Sequence, residues 1–295
     1  MTLLDRFGEG LHPNLAGEDY YARCLGEANS GSLKLILTKS LAHYRYWATE
    51  ELDDEARAKE KAHFTFGRAY HAALLEPERF AAEYVVEPVF GSLQSSKVRT
   101  ELAHWRDRHS DKGIISAAQL RTLSAMGDRL RAHPLISKLL SVGGRNELTA
   151  VWRDRETGLP CKARIDHLNM VLPGRFFVLD PKTCENASAE GFARAAASWF
   201  YQLQFAHYVE GLRALGVPLE AFYFIAQEKE PPYECAIYQF EPQDEELGFR
   251  QRAIAMRRLA RAVETDQWPG LNNDQAARLR LPAYAHYNLN NEGEG

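Results

Sequence analysis

The apolar positions of this chain change their period near residue 144. Before that point they recur every three or four residues. Leu33, Ile36, Leu37 and Leu41 follow Ser30-Gly31-Ser32, and Leu120, Leu123, Met126 and Leu130 follow Ser116. That spacing places one apolar stripe along a helix, with Ser32 and Ser116 as predicted N-caps. His133-Pro134 stops the second helix, and a short one follows from Leu135 to Leu140. The stretch Phe64 to Pro77 predicts a helix whose Gly67, Ala69, Ala72 and Ala73 allow close packing. Residues 53–62 read as a charged loop or helix end, and 84–112 as irregular apart from a short helix over 102–108.

After residue 144 the pattern becomes that of strands. Asn146–Arg153, Cys161–Met170 and Phe176–Asp180 are separated by turn residues at 156–160 and 173–174, which predicts an antiparallel meander. A long helical region over 187–215 precedes the apolar run Leu219–Ala226. A strand reached through a helix can join the sheet in parallel. A further strand over 233–240 and an arginine-rich helix over 242–264 follow. The predicted architecture is an α/β sandwich, a mixed central sheet flanked by helices with a helical N-terminal portion. Residues 1–29 form a polar arm and 30–287 one domain, helical over 30–143 and sheet-bearing over 144–287. The chain is polar from Trp268 onward and ends in a tail, 288–295.

Composition narrows the class. Hydrophobic residues at 45% and charged residues at 26% are ordinary for a globular protein. No apolar run reaches about 18 residues, so no transmembrane helix is expected. Met1 to Gly17 lacks the apolar core of a secretory signal, and a cytoplasmic location is expected. Cys24, Cys161, Cys184 and Cys235 form no CxxC pair. That argues against a zinc site or a disulfide framework. With no cysteine after Cys235, an iron–sulfur cluster is not expected either. The net charge of −4 does not itself announce a nucleic-acid binder. Locally, Arg145, Arg153, Arg155, Lys162, Arg164 and Arg175 gather around the predicted strands as a candidate basic patch.

The candidate chemistry lies at the end of the third strand. Phe176-Phe177-Val178-Leu179 runs into Asp180-Pro181-Lys182, and Asp166 lies 14 residues before Asp180 on the neighbouring strand. Residues at i and i+2 share a strand face, so Asp180 and Lys182 project together. Two carboxylates supply the hard oxygens that Mg²⁺ prefers, and the Pro181 carbonyl offers another. An amine beside them can orient or deprotonate a water, or offset charge on a phosphate. Glu147, on the first strand, fits an additional metal ligand as well as a capping or solvated glutamate. His71 stands mid-helix, where a lone histidine is most often an interior residue. There is no GxxxxGK[ST] loop, no GxGxxG, no G-x-S-x-G and no HExxH, so nucleotide and covalent chemistries have no carrier.

Ile165-Asp166, Leu179-Asp180-Pro181-Lys182-Thr183 and Gln204-x-x-x-Tyr208 together resemble the RecB-like branch of the PD-(D/E)xK nucleases. More narrowly they resemble the C-terminal nuclease domain of RecE, exodeoxyribonuclease VIII. Phe66-Gly67-Arg68-Ala69-Tyr70-His71 through Phe80, the helix from Tyr201 to Gly211, and Thr265 to Gly270 share the likeness. The resemblance implies a Mg²⁺-dependent exonuclease, with Mn²⁺ as a substitute, degrading linear duplex DNA from an end, 5′ to 3′. It implies His71, Asp166, Asp180 and the Pro181 carbonyl as metal contacts, and Asp166, Asp180, Lys182 and Glu147 as the catalytic set. Gln204 and Tyr208, with Tyr201 and Arg164, are the implied DNA contacts. It also implies a ring-forming homo-oligomer and a single-strand-annealing partner in phage-type recombination or repair. A structure-specific endonuclease of the same fold, or a silent DNA-binding subunit, are the alternatives. A silent subunit should lack a ligand, and none is missing. Pro181 departs from the apolar residue usual between the carboxylate and the lysine.

Overall fold

The computed structural model describes residues 1–50, 66–92, 94–172 and 174–282. Its centre is a mixed six-stranded sheet in the order β1-β4-β5-β6-β7-β8. These are β1 (Gly10–His12), β4 (Gly144–Arg153), β5 (Pro160–Leu172), β6 (Arg175–Cys184), β7 (Leu219–Glu228) and β8 (Cys235–Tyr238). β4, β5 and β6 form the expected antiparallel meander, and β7 runs parallel to β6. A second, small sheet pairs β2 (Tyr84–Val86) with β3 (Gly113–Ile115) in parallel. Its first strand lies in the region expected to be irregular, 84–112, and its second directly follows it.

Side chains that alternate along the central strands serve two cores. Val178, Phe222 and Phe224 face one cluster, while Phe177, Leu179 and Ile225 face the other. On the first side lie α3 (Ser30–Thr38), α4 (Leu41–Thr49), α10 (Ala189–Trp199), α11 (Tyr201–Ala214) and α12 (Pro242–Thr265). They contribute Leu33, Ile36, Tyr44, Phe192, Leu203, Ala255 and Leu259. On the second lie α5 (residues 66–75), α8 (Ala117–Ala132) and α9 (Pro134–Ser141). These bring Ala69, Tyr70, Leu123, Met126, Leu130 and Ile136. The early helices therefore divide between both faces of the sheet instead of forming a layer of their own. The charged stretch at 53–62 lies outside the described residues.

Several local expectations are corrected. The first 29 residues are not a loose polar arm. β1 is the edge strand, pairing antiparallel with β4. Leu3 and Leu4, on α1 (Leu3–Phe7), are buried against Val151. The cap of α3 is Asn29 instead of Ser32. Asn29 accepts the Ser32 N–H while the Ser32 hydroxyl accepts the Asn29 N–H, so Ser32 is the third helical residue of a capping box. Ser116 caps α8 as expected, with Gln119 completing its box. The helical region over 187–215 is two helices, broken at Phe200, whose backbone is left-handed (φ 61°, ψ 42°). The short helix expected at 102–108 starts earlier, as α7 (Ser96–Arg108). Trp268, expected in the polar tail, stacks on the buried Tyr44 at 5.9 Å.

Candidate metal-dependent nuclease site

β6 runs through the interior, and apolar pressure on both faces drives it there. Its residue Asp180 is fully buried and Lys182 nearly so. The hydrogen-bonded ladder between β5 and β6 starts at His167–Leu179. One residue beyond that pair, Asp166 and Asp180 stand where the strands part, and their carboxylates meet in the gap. Lys182 Nζ lies 2.6 Å from Asp180 Oδ2 and 3.9 Å from Asp166 Oδ2. Gln204, from α11, donates through Nε2 to Asp180 Oδ1 at 3.2 Å. His71 arrives from α5: its Nε2 donates to the Pro181 carbonyl at 2.9 Å, and its Nδ1 lies 3.6 Å from Asp166 Oδ1.

The electrostatics follow from burial and crowding. Burial raises the Asp180 carboxyl to about 7; the Asp166 charge adds to this and Lys182 opposes it. Burial would raise Asp166 as well, but His71 and then Lys182 hold it well below the ordinary range. Burial disfavours the His71 imidazolium, yet Asp166 outweighs it and the net shift is upward. Lys182 is held protonated in the same way, by Asp180 and Asp166 against desolvation. Glu147 is shifted up, by burial and by Asp166.

Glu147, on β4, approaches the same place. Donor atoms of His71, Glu147 and Asp166 lie within 4.8 Å of one another. Asp166 Oδ2 is buried and accepts no hydrogen bond, an acceptor that a cation would satisfy. One imidazole and hard carboxylate oxygens suit a divalent ion, so these residues fit the metal that the motif implies. Asp180 and the Pro181 carbonyl, expected among the ligands, stand next to this trio but are turned to Lys182, Gln204 and His71.

The remaining expected residues are more enclosed. Tyr208, one turn after Gln204, is buried beneath the sheet. The Tyr201 ring lies 5.2 Å from Lys182 Nζ and stacks on Phe224. Arg164 is buried too. Its Nη2 donates to the Leu15 carbonyl at 2.6 Å, its Nε lies 3.7 Å from Glu147 Oε2, and its guanidinium sits 4.9 Å above the Tyr20 ring. The candidate basic patch disperses accordingly. Lys162 forms a buried pair with Glu27 at 2.6 Å, and Arg175 pairs with Glu220.

Two contributors have no signal in the sequence. Asn146 donates to the Leu75 carbonyl at the end of α5 and faces His167 Nδ1 at 2.5 Å. It thereby ties the helix carrying His71 to the strands carrying Glu147 and Asp166. Tyr20, half-buried with Arg164 over its ring, comes from a segment whose composition reads as an exposed arm.

The profile of a PDDEXK-like domain of unknown function, DUF3799, matches residues 36–280. The chain belongs to this family. No curated protein sequence matches it. Among solved structures, one from Eubacterium rectale, provisionally described as an exonuclease, superimposes with a TM-score of 0.55. The alignment covers 91% of this chain and 96% of that one at 13% identity. At that identity the likeness concerns the fold. A further structure, SSO0001, aligns over 70% of this chain and 86% of its own, with 16% identity and a TM-score of 0.29; no argument rests on it. The fold and the PDDEXK-like domain are those of a nuclease. Among the described residues no helix is long and apolar enough to cross a membrane.

Proposed function

We propose that this DUF3799 chain is a metal-dependent DNA exonuclease acting on linear duplex from an end, with Mg²⁺ as its metal and Mn²⁺ as a substitute. One observation carries the reading. His71, Glu147, Asp166, Asp180 and Lys182 converge from four elements on a point where a buried Asp166 oxygen has no hydrogen-bond partner. The provisional description of the Eubacterium rectale protein as an exonuclease supports attack at an end. The 5′-to-3′ direction, a homo-oligomeric ring and an annealing partner in phage-type recombination rest on the sequence resemblance alone.

When bound, a divalent ion supplies water activation and stabilises charge on the leaving oxygen. His71, Glu147 and Asp166 would hold it, with Asp180 and the Pro181 carbonyl alongside. Lys182 Nζ keeps its proton between two carboxylates, so it serves as a cation and donor toward a phosphate oxygen. Gln204 fixes one Asp180 oxygen and leaves the other to Lys182.

Digestion of end-labelled linear duplex beside a closed circle, with and without Mg²⁺, tests the proposal. The linear substrate is degraded only with metal and the circle survives. Asp180→Ala and Lys182→Ala reduce cleavage to background while melting as folded proteins. Full cleavage by purified Asp180→Ala would refute the assignment, and digestion of the circle would make the enzyme an endonuclease.

A further inference from the structure

Beside the carboxylate cluster, Tyr21 presents an aromatic ring whose surface is 53% exposed. Its neighbour Tyr20 is half-buried and lies edge-on against it, with ring centroids 5.2 Å apart. Two guanidinium groups lie over the Tyr21 ring, Arg68 at 4.8 Å and Arg164 at 5.9 Å from its centroid. Each shares an element face with a residue of the cluster. Arg68 is three residues before His71 on α5, and Arg164 is two before Asp166 on β5.

The segment carrying Tyr21 is fastened at both ends. The Leu15 carbonyl accepts from Arg164 Nη2, and the Ala22 carbonyl accepts from Lys162 Nζ, each at 2.6 Å. Lys162 is itself paired with the buried Glu27. An aromatic ring held in place on a surface offers contact area without paying to be ordered at binding. An exposed aromatic ring with guanidinium groups stacked over it is a surface that unpaired nucleobases and their flanking phosphates select.

We propose that Tyr21, with Arg68 and Arg164 beside it, is a stacking platform for an unpaired nucleobase of the strand whose phosphate reaches the carboxylate cluster. The proposal rests on the nuclease reading of that cluster. It names single-stranded DNA as the form of substrate held next to the reacting phosphate. Duplex entering the site would have its end base pair opened on this side.

The test is equilibrium binding of a labelled oligodeoxythymidine in EDTA, where nothing is cut. An abasic strand of equal length serves as control. Tyr21→Ala weakens binding of the thymidine strand by about tenfold, and Tyr21→Phe preserves it. Tyr21→Leu, which keeps apolar bulk over Arg164, loses as much as Tyr21→Ala and guards against a folding artefact. The abasic strand binds the wild type and all three variants alike. Thymidine binding by Tyr21→Ala within twofold of the wild type overturns the proposal, as does an equal loss for the abasic strand. Failure of the wild type to bind the thymidine strand overturns it too. Cleavage in Mg²⁺ is assayed separately. A wild type that binds in this base-dependent way yet never cuts would remove the nuclease reading and leave the platform standing.

Discussion

Glu147 holds a backbone conformation that its residue type disfavours. Its φ is 48° within a strand, a left-handed geometry that costs a residue other than glycine about 1–3 kcal/mol. The consequence shows in the ladder between β4 and β5. Asn146 pairs with His167 and Leu148 with Ile165, while the intervening Glu147–Asp166 pair is absent. Alternation breaks at this step, so Ile165 and Leu168, three apart, enter the same core. At this step the Glu147 and Asp166 carboxylates meet although their charges repel. Asparagine tolerates the left-handed region better and carries no charge. Glu147→Asn is therefore expected to stabilise the metal-free protein by about 1 kcal/mol and to weaken Mn²⁺ binding. Denaturant unfolding in EDTA and titration calorimetry check the two halves. A variant that is less stable, or that binds metal as tightly, would show that the strain serves another purpose.

The elements around the site depend on close approach. α12 lies on α11 at Gly248, where an added Cβ would sit 2.1 Å from the Gln202 carbonyl oxygen. α11 begins only one residue before that carbonyl, after the left-handed Phe200, and carries Gln204 to Asp180. Gly248→Ala should cost about 1–3 kcal/mol by forcing the helices apart. It should also slow cleavage, because the Gln204 contact moves with α11. Thermal melts beside a nuclease assay read both effects, and an unchanged melting temperature would mean that the helices slide freely. Much at this scale was legible beforehand. Ser116 announces the start of α8, and the strand periods locate β4, β5 and β6. Other features were not. Asn29 and Ser32 bond reciprocally, and either looks like a cap in sequence. Nothing in a phenylalanine foretells the break at Phe200.

At the scale of the whole molecule, the first 29 residues close one side of the structure. β1 extends the sheet, and Glu27 accepts the Leu3 N–H at 2.7 Å while pairing with Lys162. Both partners are 3% exposed, so removing one leaves a buried charge unpaired. Lys162→Met should cost about 3–5 kcal/mol, and adding Glu27→Leu should recover most of it. Chemical denaturation of the single and double variants decides this. A mild single variant would mean that water reaches Glu27. Because Lys162 also holds the Ala22 carbonyl, the same substitution should loosen the segment presenting Tyr21.

Backbone geometry repeats locally, so strand and helix periods, the meander, and the shared face of Asp180 and Lys182 could be read along the chain. The same period left β1 hidden, since three residues are too few to show it. The site as a whole depended on contacts between distant residues. His71 meets the Pro181 carbonyl across 110 positions, and Asn146 reaches Leu75 across 71. Such pairings are selected by the summed packing of both faces of the sheet, which no single segment encodes. The turn at Glu147 belongs with them: a strained conformation persists only where the surrounding fold outweighs its cost.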